Sequence, residues 1–339
     1  MNTILSTLYF AFNAVVPILA LILLGYCAKQ KGILTQEFIK PANKFNFRFG
    51  FSCLMFTNIY KLEGIWEIPL NTVFFVLFTV IVLTAAGFLI AHTCTAVRAR
   101  RGVLIQAAFR SNFAIIGLPV AASLAGSAGN ALASALQAPT VIYYNFTAIL
   151  CMALYSDSEH SFNIKRVLKN IAANPLIIGL VSGLIALAVR AVIPRNADGS
   201  LIFSLERDLP WLYITISYLA RMATPLALIV LGTQFNFTAV KGMKKELTAG
   251  VAARLIGAPV MGFTLAFAAA APGIITLDAT SIAVLIALFG SPMAVASVVM
   301  ASEMNADDIL AGQIVVWTTL LSMASIFIQI VIFRTAGLL

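Results

Sequence analysis

The sequence is poor in charge and in the residues that usually do chemistry. Of 339 residues only 10% are Asp, Glu, Lys or Arg, with 2 histidines and 4 cysteines. Cys27, Cys53, Cys94 and Cys151 lie in or at the ends of apolar runs, and none belongs to a CxxC pair, which argues against a metal site or a disulfide framework. His92 and His160 sit at a span end and in a loop, outside any HExxH motif. A GxSxG elbow and a Walker A loop are both absent, which disfavours an intramembrane enzyme and an ATP-driven pump; no catalytic residues, cofactor or metal site are expected. The first apolar segment has no basic stretch before it and no A-x-A site, so it is expected to be a retained span and not a cleaved leader.

What the chain has in excess is apolar side chain. It is 61% hydrophobic with a mean hydropathy of +0.98. A soluble globule of this length could not hide that much apolar surface, so the surrounding solvent is mostly lipid. At roughly 20 residues per crossing, apolar runs place about ten spans near 4–27, 38–60, 68–96, 102–126, 130–154, 171–193, 209–235, 246–271, 276–302 and 309–333. The net charge of +9 would suit nucleic acid in a soluble protein, but here the basic residues cluster in short loops. Lys29, Lys31, Arg98, Arg100, Arg101, Lys165, Arg166, Lys169, Lys244 and Lys245 all fall after odd-numbered spans. That bias predicts a multi-pass protein of the inner or plasma membrane with both termini outside. It also makes the polar stretch 156–170 a cytoplasmic linker between two five-helix halves, 1–155 and 171–339. Five is odd, so the second half is expected to be inverted.

Two spans carry breaks. "AAFRSNFAIIGLPVAASLAG" (107–126) holds Gly117-Leu118-Pro119, and "IALFGSPMAVASVVMASE" (286–303) holds Gly290-Ser291-Pro292. Each is the fourth span of its half, and interrupted helices at matching places in two halves point to a binding site. The alternative is an ordinary Pro or Gly kink. The seventh span is read as broken at Pro225, and Gly179 with Gly183 as a GxxxG packing face.

A break leaves backbone groups that lipid cannot satisfy. Helix N-termini meeting at a crossing carry partial positive charge suited to a carboxylate. No acidic residue falls deep in a span by this assignment, whereas Arg110, Arg221 and Arg254 do or nearly do. An intramembrane arginine is a functional candidate by default, with snorkelling to the interface as the alternative. Arg254, close to a loop, is expected to snorkel; Arg110 and Arg221 are candidates for holding an anion. Ser111, Asn112, Asn145, Ser291, Asn46 and Gln313 add neutral donors and acceptors, with interhelical bonding as their alternative role. The candidate substrate-binding set is therefore Arg110, Ser111, Asn112, Gly117, Pro119, Asn145, Gly290, Ser291, Pro292, Arg221, Asn46 and Gln313.

The motifs "RSNFAIIGLPV", "GSPMAVASVVMASEMNADDILAGQIVVWTTLLS", "PLALIVLG" and "VVPILALILLGY" resemble those of the auxin efflux carrier family of bacterial and plant transporters, over essentially the whole length. The resemblance implies a fold like that of the bile acid:sodium symporters. It also implies an all-α polytopic protein of two inverted five-helix repeats, with broken helices four and nine crossing at mid-membrane between a scaffold and a transport domain. The family often has Leu-Pro where this chain has Ser52-Cys53, which leaves the shape of the second span open. The expected activity is secondary transport of a small organic anion, a carboxylate such as malonate or malate or an auxin-like acid, by elevator-type alternating access. Proton linkage or uniport is expected, with sodium coupling, or anion sensing without transport, as alternatives. The expected partners are the anion and the bilayer, not nucleic acid, and a homodimer is left open.

Overall fold

The computed structural model of the protein describes residues 16–17, 20–60, 70–155, 173, 175–194, 201–234 and 242–339. The linker 156–170 and most of the first predicted span lie outside them. The described residues are mainly helical, with no strand among them and an isolated β-bridge between Ser111 and Met293. In chain order the helices are α1 (20–30), α2 (Gln36–Phe45), α3 (Phe51–Tyr60), α4 (Leu70–Cys94), α5 (Arg98–Phe109), α6 (Leu118–Tyr155) and α7 (Pro175–Val192). They continue with α8 (Leu205–Asp208), α9 (Pro210–Gln234), α10 (Lys244–Ala252), α11 (Ala258–Ala270), α12 (Ala279–Gly290), α13 (Ala296–Glu303) and α14 (Asp308–Thr335). Six helical stretches among the described residues are long and apolar enough to cross a membrane. The chain is a multi-pass membrane protein, and the apolar side chains exposed along α4, α7 and α14, such as Phe74, Phe78, Ile185 and Ile328, face lipid.

Two π turns, Asn46–Gly50 and Ala253–Gly257, interrupt helices without ending them, and a third, Phe113–Gly117, opens the helix that continues as α6. Two of the three have the same chemistry: Gly117-Leu118-Pro119 and Gly257-Ala258-Pro259 each place a proline two residues past the turn. Proline has no N–H, and its ring crowds the carbonyl four residues back. Widening the preceding turn relieves that crowding, and for Pro259 the carbonyl so released, that of Leu255, accepts a 2.9 Å bond from Ser325 Oγ. Gly117-Leu118-Pro119 is therefore not the break expected from the sequence. Pro225 likewise does not break α9, which runs unbroken from Pro210 to Gln234. α6 divides instead at Ala125–Gly126, where Gly126 takes φ 60°, ψ −142°, a conformation that favours glycine.

The helices pack as two groups that cut across the two halves of the sequence. α2, α3, α7, α8 and α9 pack mainly among themselves; α4, α5, α6 and α10 to α14 form the other group. The first group is held by close backbone approach. A Cβ on Gly25 of α1 would strike the Ile229 carbonyl of α9, and one on Gly179 of α7 the Ser52 carbonyl of α3. Gly183, one turn on, approaches Ile59 of α3. The GxxxG pair thus packs helices, as its sequence suggests. Ser52 ties α3 down on both sides, its Oγ lying 2.7 Å from the Arg48 carbonyl and 2.8 Å from the Pro175 carbonyl. Contacts between the groups are few: α6 meets α7, and α13 and α14 meet α9.

Candidate functional site: the crossing of two broken helices

The first break lies at Arg110–Asn112. α5 ends at Phe109, Arg110 is extended (φ −86°, ψ 91°), and the chain re-enters helix at Phe113. The second lies at Ser291–Val295, between α12 and α13, as the sequence suggests. The two extended segments run antiparallel and bridge at Ser111 and Met293. Asn112 N–H donates to the Pro292 carbonyl (2.7 Å), and Ala294 N–H to the Arg110 carbonyl (3.1 Å). Met293 N–H is taken by Thr318 Oγ1 of α14 (3.1 Å). Each break thus satisfies part of the other, as buried backbone requires.

Small residues let the helices come this close. A Cβ on Gly117 would press the Phe113 ring and stand 3.0 Å from the Ala287 carbonyl of α12. One on Gly290 would stand 2.9 Å from both Gln329 Nε2 and Ile326 Cγ1 of α14. Ser291 Oγ bonds back to the Ala287 carbonyl at 2.6 Å, closing the last turn of α12.

Arg110 is 3% exposed. Its Nη1 donates to Gln106 Oε1 (2.9 Å) and contacts Met300 Sδ (2.6 Å), and its Nη2 donates to Asn145 Oδ1 (2.7 Å). Asn145 in turn donates to the Val141 carbonyl (2.9 Å) and contacts Met55 Sδ (2.8 Å) on α3, in the other helix group. Ser111 Oγ lies 3.3 Å from the Tyr144 hydroxyl. Among the described residues no carboxylate pairs with Arg110; each contact named is neutral. A guanidinium taken out of water costs several kcal/mol, and charge-assisted bonds to neutral acceptors, about 1.5–3 kcal/mol each, offset most of that but leave the net charge in place. At an effective dielectric of 20, that charge attracts a carboxylate about 5 Å away by about 3 kcal/mol.

The second half-helices carry unused donors. Asn112 Nδ2, before the π turn, and Ser297 Oγ, in the first turn of α13, are buried without a partner among the described residues. Ser297 and Thr318 are absent from the sequence-derived set, because hydroxyls are common in membrane helices and neither lies beside Gly or Pro.

Arg254 corrects the expectation that it snorkels. It is 1% exposed, and its guanidinium joins the two first half-helices, with Nη1 on the Ala108 carbonyl of α5 (3.3 Å) and Nη2 on the Phe289 carbonyl of α12 (2.8 Å). The signal was available: from Lys244 to Arg254 is about 15 Å of helix, half a hydrocarbon core.

The structure therefore brings Arg110, Ser111, Asn112, Asn145, Gly290, Ser291 and Pro292 together, with Gly117 at the close approach. Pro119 serves the π turn instead of the break. Arg221 lies elsewhere: it is exposed on α9 and lines a separate cavity of about 420 Å³ with Tyr60, Arg190, Glu206 and Tyr213. Asn46 is fully buried, and its Nδ2 bonds the Ala223 carbonyl of α9 at 2.8 Å, a contact within the first helix group. Gln313 is buried on α14, the helix that meets the second break through Thr318, Ile326 and Gln329.

The chain matches the membrane transport protein family over residues 10–330 and belongs to it, the auxin efflux carrier family that its motifs resemble. A protein of Methanothermobacter thermautotrophicus described as an uncharacterized transporter is 25% identical over 323 residues, covering 93% of this chain and 95% of that protein. The protein is a membrane transporter.

Proposed function

We propose that this transporter carries a small organic anion, a carboxylate such as malonate or malate or an auxin-like acid, by elevator-type alternating access. In this reading the chain has ten spans in two inverted five-helix repeats, 1–155 and 171–339, joined by the linker 156–170. The group of α4 to α6 and α10 to α14 moves against the group built on α3, α7 and α9. The observation that carries the proposal is Arg110, buried at the helix crossing among neutral partners. Its uncompensated charge, with two helix N-termini and the unused donors of Asn112 and Ser297, makes a field for a carboxylate and against a cation. Support for two bodies comes from the packing, which is dense within each group and sparse between them. Transport is proposed as proton-linked or uniport, because one carbonyl at the end of each first half-helix, Ala108 on α5 and Phe289 on α12, is already bonded by Arg254.

The test is tracer uptake and charge movement in liposomes holding the purified protein, challenged with a panel of mono- and dicarboxylates at two pH values, in sodium and in choline buffers. Saturable uptake of one or more carboxylates, equal in the two buffers, is expected. Uptake that requires sodium would select the symport alternative. Saturable carboxylate binding without flux under any condition would replace transport by sensing.

A further inference from the structure

We propose that Arg254 is a resident cation: its guanidinium stands where a transporter of this geometry could otherwise seat a bound metal ion, and it positions the two first half-helices. The argument rests on what meets at that point. α5 and α12 both end there, each with a C-terminal partial charge of roughly −0.5. Two such ends together present about one negative charge, formed by backbone carbonyls that no helix satisfies. Half-helix C-termini of this kind bind Na⁺ in transporters that use broken helices. Here the Ala108 and Phe289 carbonyls are instead bonded by Nη1 and Nη2 of one side chain. The match in charge is one to about one, and the planar fork spans both acceptors, which an ammonium could do only as a point charge.

The origin of Arg254 supports a positioning role. It belongs to the π turn Ala253–Gly257, which is packed against α5 and α12 and against α14, so the side chain reaches the crossing from a third helix. It touches the ends of both first half-helices, while Asn112 and Ser297 mark the starts of both second half-helices. The Ala108 and Phe289 carbonyls are thereby neutralised, which leaves the Arg110 charge and the helix N-termini for the anion. The residue acts through the helices it joins.

The inference rests on the transport reading for its purpose but is tested without transport. Thermal unfolding of the full chain in detergent is followed for the wild type, Arg254→Ala, Arg254→Met and Arg254→Lys, each in choline chloride with and without methylguanidinium, and in sodium chloride. Arg254→Ala is expected to lose about 5 °C or more in melting temperature. Methylguanidinium should restore at least half of that loss, and should do nothing for the wild type or for Arg254→Met, whose side chain fills the space without charge. Arg254→Lys should melt above Arg254→Met. Sodium should not stabilise the wild type beyond choline. An Arg254→Ala protein that melts with the wild type, or gains no more from methylguanidinium than Arg254→Met does, overturns the proposal, as does a wild type selectively stabilised by sodium. If Arg254→Ala does not fold, the comparison of Lys with Met decides: equal melting overturns the proposal. Failure of carboxylate flux in the wild type would count against the transport reading alone, since none of these melts depends on substrate.

Discussion

The two ends of α5 hold arginines with opposite company. At the N-terminal end, Arg100 Nη1 meets Glu246 Oε1 at 2.8 Å and its Nε meets Asp307 Oδ2 at 2.9 Å, while Thr95 Oγ1 also donates to Glu246. At the C-terminal end, Arg110 has two amide oxygens and a thioether. The helix dipole explains part of the contrast, because a cation is repelled by an N-terminus and favoured at a C-terminus. Arg100 needs its two acids; Arg110 needs fewer. The C-terminal partial charge of about −0.5 does not cancel a guanidinium, however, and Arg254 takes it up through the Ala108 carbonyl. The chain can supply carboxylates where an arginine only has to be neutralised. At Arg110 it supplies none among the described residues, and the remaining charge is what an anion would sense.

The largest effect should come from breaking the unpaired end. Arg110→Ala should cut carboxylate uptake by about 100-fold, the equivalent of the roughly 3 kcal/mol that its charge offers a carboxylate. Arg110→Lys should recover part of it, since charge returns without the fork. Tracer flux at equal amounts of reconstituted, monodisperse protein measures both. Unchanged flux in Arg110→Ala would remove the crossing as the anion site.

A smaller effect tests the side chain that waits beside that charge. Asn112→Ala removes an unpaired buried donor, so folding should lose little, while a bound carboxylate loses one hydrogen bond worth about 1.5 kcal/mol. An increase in KM of about tenfold with little change in melting temperature is expected. A protein that melts much lower with unchanged KM would make Asn112 a structural residue and leave the anion to Arg110 alone.

How much of this was legible beforehand depends on which physical rule each residue obeys. The spans follow from the thickness of hydrocarbon: the predicted 68–96 and 309–333 are observed as Leu70–Cys94 and Asp308–Thr335. The break at Ser291-Pro292 follows from proline's missing N–H. The same rule misplaced the first break, because Pro119 is relieved by a π turn, while Arg110 to Asn112 leave the helix through pairing with residues about 180 positions away. That pairing has no local signature. The places of Arg221 and Arg254 have no local signature either. Depth along a helix is visible in sequence, but the face that a residue presents, to a surface cavity or to two carbonyl ends, is set by packing.

The smallest effect belongs to the paired end, and it sharpens the comparison by showing what an arginine does when its charge is spent. Arg100 ties together the start of α5, Glu246 at the start of α10 and Asp307, which caps α14 through Leu310 N–H at 2.8 Å. Its side chain is 20% exposed, so water screens the pairs and the network is worth about 1–2 kcal/mol. Arg100→Ala should therefore lower the melting temperature by a few degrees, and the loss should shrink in high salt, where exposed ion pairs weaken. Flux per folded molecule should stay within about twofold of wild type, because the charge removed was already balanced where it stood. A drop in flux as deep as that of Arg110→Ala, at full retention of folded protein, would mean that the two ends of α5 are not different in kind, and that the carboxylates at Arg100 open and close during the transport cycle.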